Sequence, residues 1–258
     1  PGPSLWEGEK IVGTIIAVTA AAGMGGTGLG GLAAYLFRRG TDRTVSVLLS
    51  FAAGMMLAVV CADLLTDAIQ AGPGLSALPA ASASVLAGCG GIWLLEELVS
   101  GLQAGAKRGG LFLAGVVMAA AIALHNLPEG MVIGASYAAD LAEAGEDGRM
   151  MALVIGLHNI PEGMAVAVPL AAGGASRGRA VLTTAAAGAP TVLGAVLGFC
   201  LGTMGPGLQM LTLGGASGAM LYVVFGELLP ESFRLCRSPA PVMAAVLGVL
   251  TGMGVVLG

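Results

Sequence analysis

Two nearly identical segments, HNLPEG at 125–130 and HNIPEG at 158–163, contain both histidines of the chain. In each segment the histidine and the asparagine lie four and three residues before a glutamate, so on an α-helix all three side chains project toward one side. Imidazole nitrogen and carboxylate oxygen suit Zn²⁺ and its first-row neighbours, and amide oxygens can add to the set. The predicted metal ligands are His125, Asn126, Glu129, His158, Asn159 and Glu162.

Each segment also contains a proline, Pro128 or Pro161. A proline inside a helix cannot donate to the carbonyl four residues earlier and distorts that turn, which leaves an oxygen that a cation can bind. In the alternative interpretation, the polar groups bond to one another in a buried hydrogen-bond network that holds the two helices together. The metal site is the favoured hypothesis, because two sets of costly buried polar groups are hard to explain by packing alone.

The rest of the chain, which must position these segments, is strongly apolar. Its 258 residues are 56% hydrophobic and 10% charged, with a mean hydropathy of +0.91, whereas soluble domains carry about 25% charged residues. Its apolar stretches are about 20 residues long, which is typical of membrane-spanning helices and too long for barrel strands. This pattern predicts an all-α integral membrane protein, with one transmembrane domain over 1–258. Eight spans are predicted, helices 1 to 8, at about 11–36, 45–70, 79–100, 111–138, 149–171, 179–203, 208–233 and 241–258.

The basic residues indicate an orientation. Most of them fall in the four alternate connections 1–2, 3–4, 5–6 and 7–8, where the positive-inside bias predicts cytoplasm, and both termini are then outside. These residues are Arg38, Arg39, Arg43, Lys107, Arg108, Arg177, Arg179, Arg234 and Arg237. The outer connection between helices 4 and 5 is acidic, which could concentrate cations or could simply be a solvated surface.

The sequence contains internal repeats. Residues 51–67 match residues 215–231 at an offset of 164, with eight identities in seventeen positions, and helices 1–3 recur as helices 6–8. Helices 4 and 5, which carry the two polar segments, form a second pair at an offset of 33. The members of each pair are an odd number of crossings apart, so they run in opposite directions. The sequence therefore predicts a 3+2+3 inverted repeat, an architecture whose substrate sites tend to lie near the membrane midplane.

Carboxylates near the ends of two repeat-related helices indicate a cation pathway. Asp63 is predicted in the outer part of helix 2, and its repeat mate Glu227 in the inner part of helix 7. The neighbouring acids Asp67 and Glu231 fit an interfacial role equally well. Met56 lies at mid-membrane depth, where its thioether could bind a soft metal, but core filling is the default for a methionine.

At HNLPEG, HNIPEG and MLYVVFGELLPES (220–232) the chain resembles the ZIP (Zrt- and Irt-like protein) metal-transporter family, particularly its bacterial GufA-like members. The resemblance covers essentially the whole chain. It implies a multi-pass homodimer in the inner (plasma) membrane that moves Zn²⁺, and often Fe²⁺, Mn²⁺ or Cd²⁺, into the cytoplasm. It also implies eight helices with both termini outside, and an elevator-like movement of helices 1, 4, 5 and 6 against helices 2, 3, 7 and 8.

The resemblance carries the six motif residues over as ligands and adds Met56 as a contact from helix 2. Two features depart from the family pattern. The 3–4 connection is short and has no histidine, and helix 6 offers Thr191 where some relatives have a glutamate. Glu129 and Glu162 supply two negative charges, which one divalent ion balances, so one tightly bound ion is expected. The metal is the substrate, and neither a resident cofactor nor a nucleic-acid partner is predicted.

Two other functions compete with transport. An intramembrane metalloprotease also needs His and Glu ligands in a hydrophobic bundle, but HExxH is absent, and neither segment leaves a carboxylate that could act as general base. A purely structural membrane protein would not explain the duplicated acids.

Overall fold

The computed structural model describes residues 5–36, 42–72, 77–103, 110–143 and 147–257. Within these ranges every regular element is helical, and the elements form eight helices in the predicted order, so the predicted fold class is confirmed. Four helices are uninterrupted: helix 3 (Ala77–Gln103), helix 4 (Gly110–Glu143), helix 5 (Asp147–Ala172) and helix 8 (Pro239–Leu257).

The other four helices are interrupted. Helix 1 comprises Leu5–Ala20, a π-helical turn at Ala21–Gly25 and then Gly26–Leu36. Helix 2 comprises Asp42–Val59, a π-helical turn at Val60–Leu64 and then Leu65–Ala71. Helix 6 has two parts, Arg177–Ala187 and Pro190–Gly202. Helix 7 comprises Pro206–Val223, a π-helical turn at Val224–Leu228 and then Leu229–Leu235.

Among the described residues, six helices are long and apolar enough to cross a membrane by length and composition, namely helices 1, 2, 3, 5, 6 and 7. Helix 8 contains a shorter apolar stretch, Pro239–Gly254. Large apolar side chains such as Leu86, Trp93, Leu182 and Leu250 are exposed on the outside of the bundle. Such a surface fits contact with lipid.

Two of the interruptions occupy equivalent places in the predicted repeat. The π-helical turns of helices 2 and 7 are separated by the same offset of 164 residues that relates the two halves of the sequence, and they contain the repeat mates Asp63 and Glu227. π-Helical turns are rare and are frequently found at functional sites. The two halves therefore share an unusual backbone feature as well as residue identities.

The packing of the helices also follows the repeat. Helix 4 packs along helix 6 as helix 5 packs along helix 1, helix 2 packs along helix 8 as helix 7 packs along helix 3, and helices 4 and 5 pack against each other. Glycine allows the closest approaches. A Cβ atom on Gly134 would collide with the carbonyl oxygen of Ala195 in helix 6, and one on Gly163 with the carbonyl oxygen of Thr27 in helix 1. This packing places the parts of helices 4 and 5 that carry the two motifs inside the bundle.

Several residues behind the predicted orientation lie outside the described residues, namely Arg38, Arg39, Lys107 and Arg108. Part of the short 3–4 connection, residues 104–109, also lies outside them. The placement of both termini outside the cytoplasm therefore stays a prediction, and so does the homodimer.

Candidate metal site

Helices 4 and 5 bring three of the predicted ligands together. Glu129 of helix 4 and Glu162 of helix 5 are fully buried, and His158 of helix 5 is 2% exposed. His158 Nε2 lies 3.1 Å from Glu129 Oε1, and one candidate ligand atom from each of the three residues lies within 4.8 Å of the others. An imidazole and two carboxylates this close together can hold a divalent transition-metal ion. We call these three residues the carboxylate–histidine cluster.

The two motifs reach this position on continuous helices. Helix 4 continues through Pro128 and helix 5 through Pro161. The histidine, asparagine and glutamate of each motif therefore keep their helical spacing and stay on one side of the helix.

Several polar atoms of the cluster have no hydrogen-bond partner among the described residues. Both carboxylate oxygens of Glu162, Oε2 of Glu129 and Nδ1 of His158 are buried in this way. An ionised carboxylate in such a place is costly unless a cation compensates its charge. In a hydrogen-bond network without a metal ion, these atoms would bond to one another. The cluster therefore fits a divalent ion better than it fits a purely structural network.

His125 contacts helix 7. Its Nε2 atom lies 2.8 Å from Glu227 Oε1, and the side chains are 3% and 26% exposed respectively. The π-helical turn Val224–Leu228 contains Glu227. A carboxylate predicted near the inner mouth thus lies directly against the first motif and also reaches partly exposed space.

The two asparagines contact each other and helix 6. Asn159 Nδ2 donates to Asn126 Oδ1 over 3.3 Å, and Thr191 Oγ1 donates to the same oxygen over 2.8 Å. All three residues are fully buried. The structure therefore places Thr191 beside the motif asparagines, in a neutral group next to the charged cluster.

Two further predicted residues are on helix 2. Met56 is 1% exposed and packs in the main hydrophobic core, and its contact with a metal ion stays a prediction. Asp63 is half-buried and lines a cavity of about 350 Å³ together with Asp147 and Arg149. This cavity is formed where helices 2 and 5 meet, and it is a candidate outer vestibule.

Two features of the site were not predicted from the sequence. The first is the pairing of His125 with Glu227, which needs the rotation of helix 7 relative to helix 4. The second is the direct contact of Thr191 with Asn126. The repeat alignment, which relates Glu227 to Asp63, was the available signal that Glu227 belongs to a functional position, but it does not indicate which residue Glu227 contacts.

Comparison with known proteins identifies a family that fits this geometry. The family described as ZIP Zinc transporter matches residues 100–258. The zinc transporter ZupT of Corynebacterium efficiens is 32% identical over 257 residues, which cover 92% of each chain. The zinc transporter ZIPB of Bordetella bronchiseptica is 35% identical over 252 residues, covering 92% of this chain and 77% of the relative. The zinc transporter GufA of Myxococcus xanthus is 40% identical over 114 residues, or 44% of each chain.

The matched region includes both motifs, the carboxylate–histidine cluster and the helix 7 acid that contacts His125. The resemblance noted in the sequence is therefore confirmed over most of the chain. The chain belongs to the ZIP zinc transporter family, which consists of membrane transporters and not of enzymes.

Proposed function

We propose that this chain carries Zn²⁺ across the membrane into the cytoplasm through the site formed by Glu129, His158 and Glu162. The observation that carries the proposal is the pair of fully buried carboxylates beside an imidazole, because three of their four oxygens lack a hydrogen-bond partner among the described residues. The names of the relatives, which all specify zinc, support Zn²⁺ as the main substrate. Fe²⁺, Mn²⁺ and Cd²⁺ are candidate further substrates, since N and O donors also bind them.

The charge of the cluster favours one divalent ion. Glu129 and Glu162 together carry two negative charges when ionised, and one divalent ion neutralises both. A second ion would leave about two positive charges in a medium where uncompensated charge is costly. The neighbouring position, lined by Asn159 and Thr191, contributes oxygens but no further negative charge.

The path of the ion follows from the acids that flank the cluster. Asp63 lines the candidate outer vestibule and attracts cations toward it. The carboxylate–histidine cluster holds the ion in the interior. His125 and Glu227, which are 2.8 Å apart, offer the next nitrogen and oxygen donors toward helix 7. Because Glu227 is partly exposed, we propose that it receives the ion on the way to the inner side.

Alternating access is proposed to occur by a movement of helices 1, 4, 5 and 6 against helices 2, 3, 7 and 8. Helix 1 packs along helix 5 and helix 4 along helix 6, while helix 2 packs along helix 8 and helix 3 along helix 7. Each of these close pairs lies within one of the two proposed groups. Such packing favours rigid-body movement of one group past the other.

The experiment is zinc uptake into proteoliposomes that contain the purified chain and an enclosed zinc indicator. Wild-type protein should give uptake that saturates with the outside zinc concentration. Glu162→Gln should abolish it, because the change removes a charge but keeps the shape of the side chain. Glu231→Gln is the matched control, because Glu231 is a partly exposed helix 7 acid paired with Arg234.

The outcomes separate the competing functions. Uptake that needs Glu162 but not Glu231 supports the proposed site, and equal uptake by all three proteins would exclude it. Zinc binding without any uptake would indicate a structural metal site. The inward direction is tested separately, as accumulation of radioactive zinc by cells that express the chain.

A further inference from the structure

The amide of Asn126 has no bonding capacity left for a metal ion. Its Nδ2 atom donates to the carbonyl oxygens of Ile122, over 2.9 Å, and Ala187, over 3.2 Å. Its Oδ1 atom accepts from Thr191 and Asn159. An asparagine amide offers two N–H donors and two acceptor lone pairs, so all four positions are used. The opposite orientation is excluded, because it would place the amide oxygen against two carbonyl oxygens.

The carbonyl of Ala187 explains why an amide is required here. It ends the first part of helix 6, where the following residues offer it no backbone donor. Pro190 has no N–H, and the N–H of Thr191 donates to the carbonyl of Gly188 over 3.3 Å. The side chain of Asn126 satisfies this carbonyl and so attaches helix 4 to the break in helix 6.

Asn159 differs from Asn126 in one respect. Its Nδ2 atom donates to Asn126 and to the carbonyl of Ala22, both over 3.3 Å. Its Oδ1 atom, however, is buried and has no hydrogen-bond partner among the described residues. Asn159 directly follows His158 and lies three residues before Glu162, so the helical spacing puts Asn159 on the same side of helix 5 as Glu162.

The repeat shows where this difference arises. Thr191 and Thr27 are equivalent at the offset of 164, and both are fully buried. Thr27 donates its hydroxyl to the carbonyl of Gly23 in its own helix, over 2.9 Å, whereas Thr191 donates across to Asn126. With the Thr191 hydroxyl on one lone pair, the Asn126 oxygen accepts one further N–H, and that N–H comes from Asn159.

We propose that Asn126 and Thr191 are positioning residues, and that they hold the amide of Asn159 with its Oδ1 atom available as an oxygen ligand for the transported ion. This inference rests on the proposed function, because it assumes an ion in the carboxylate–histidine cluster. It divides the two motif asparagines, predicted alike as ligands, into one that binds the ion and one that orients its partner. Hydrogen bonds from Asn126 and Asn159 also join helices 1, 4, 5 and 6, which are the four helices proposed to move together.

The experiment is a double-mutant cycle on zinc affinity, measured on purified full-length protein by competition with a chelating indicator. Thr191→Val keeps the shape of the side chain and removes its hydroxyl, and it should raise the Kd about three- to tenfold. Thr191→Ser should restore the wild-type value, because it returns the donor. Thr27→Val is the matched control and should leave the Kd unchanged, because among the described residues the Thr27 hydroxyl bonds to Gly23 of its own helix.

The second arm combines Thr191→Val with Asn159→Ala. If Thr191 acts through the Asn159 oxygen, its substitution has no further effect on the Kd once that oxygen is gone. An equal increase in both backgrounds, or an unchanged Kd for Thr191→Val alone, would overturn the inference. Thr191→Ala provides the same comparison if the valine variant does not fold.

Failure of this inference differs from failure of the proposed site. If Glu162→Gln loses zinc while Thr191→Val keeps wild-type affinity, the site stands and the positioning role is wrong. If Glu162→Gln keeps wild-type affinity, the cluster itself is not the zinc site.

Discussion

Glu162→Gln is the substitution whose effects the structure defines most sharply. The Glu162 side chain is fully buried, and neither carboxylate oxygen has a hydrogen-bond partner among the described residues. Its one strong interaction is therefore expected to be with the bound ion. Glutamine has nearly the same shape, so the change removes a charge and leaves the packing of helix 5 intact.

The expected loss of zinc affinity can be estimated from the charge that the substitution leaves uncompensated. With glutamine at position 162, a divalent ion faces one carboxylate, that of Glu129, and one positive charge remains uncompensated in the interior. Leaving one partner of a buried charge pair alone costs about 3–5 kcal/mol. Since 1.4 kcal/mol corresponds to a tenfold change in Kd, zinc affinity should fall by about two to three and a half orders of magnitude.

In the metal-free protein the same substitution should be neutral or stabilising for the fold. An ionised carboxylate that lacks hydrogen bonds destabilises the metal-free protein, and the neutral amide avoids that cost. We therefore expect metal-free Glu162→Gln to unfold at the same or a higher temperature than metal-free wild type. Added Zn²⁺ should stabilise the wild type and leave the variant unchanged.

The assay is thermal unfolding of the detergent-solubilised protein, with and without Zn²⁺, and with Mg²⁺ as a control ion. Glu231→Gln should respond to Zn²⁺ as the wild type does. A zinc-dependent rise in Tm of equal size in Glu162→Gln and wild type would refute the charge argument. A metal-free variant much less stable than wild type would show that Glu162 has a packing role.

Three further predictions follow from other parts of the structure. Asp63→Asn should raise the KM for zinc uptake about two- to fivefold with little loss of maximal rate, and the difference should vanish at high ionic strength; an unchanged KM at low ionic strength would contradict a role in attracting ions. Asn159→Asp combined with Thr191→Glu should raise the bound zinc from about one to about two ions per protomer, counted by elemental analysis, because the pair adds two negative charges beside the cluster; two tightly bound ions in the unmodified chain would contradict the charge argument. Gly134→Ala should lower the free energy of unfolding by about 1–3 kcal/mol, because the new methyl group meets the backbone of helix 6. Gly13→Ala is its control, since a Cβ there meets no atom within 4 Å.

Much of this architecture can be predicted from periodicity and repetition. Apolar stretches of membrane length predict the helices, and the offset of 164 predicts which helices correspond. Helical spacing within each motif also places Glu129 and Glu162 on sides that can meet, and the structure brings them together with His158. These features depend on one helix at a time, or on symmetry between helices.

The partners of His125 and Asn126 depend on tertiary structure. Spacing within helix 4 places His125, Asn126 and Glu129 on one side of the helix, but that side is wide enough to face three neighbouring helices. His125 meets Glu227 of helix 7, and Asn126 meets Thr191 of helix 6. Which neighbour each side chain reaches is decided by the rotation and depth of the surrounding helices, and a single sequence does not encode these in any local pattern.

The paired π-helical turns bear on the history of the chain. A π-helical turn holds one more residue than an α-helical turn, so it amounts to a single-residue insertion that an intact helix has absorbed. The insertions at Val60–Leu64 and Val224–Leu228 occupy the same place in the two halves, and each contains an acid. The simplest history has the insertion and its acid already present in an ancestral three-helix unit before that unit was duplicated. In the present chain the two acids differ in their surroundings, since Asp63 lines a cavity with Asp147 and Glu227 contacts His125.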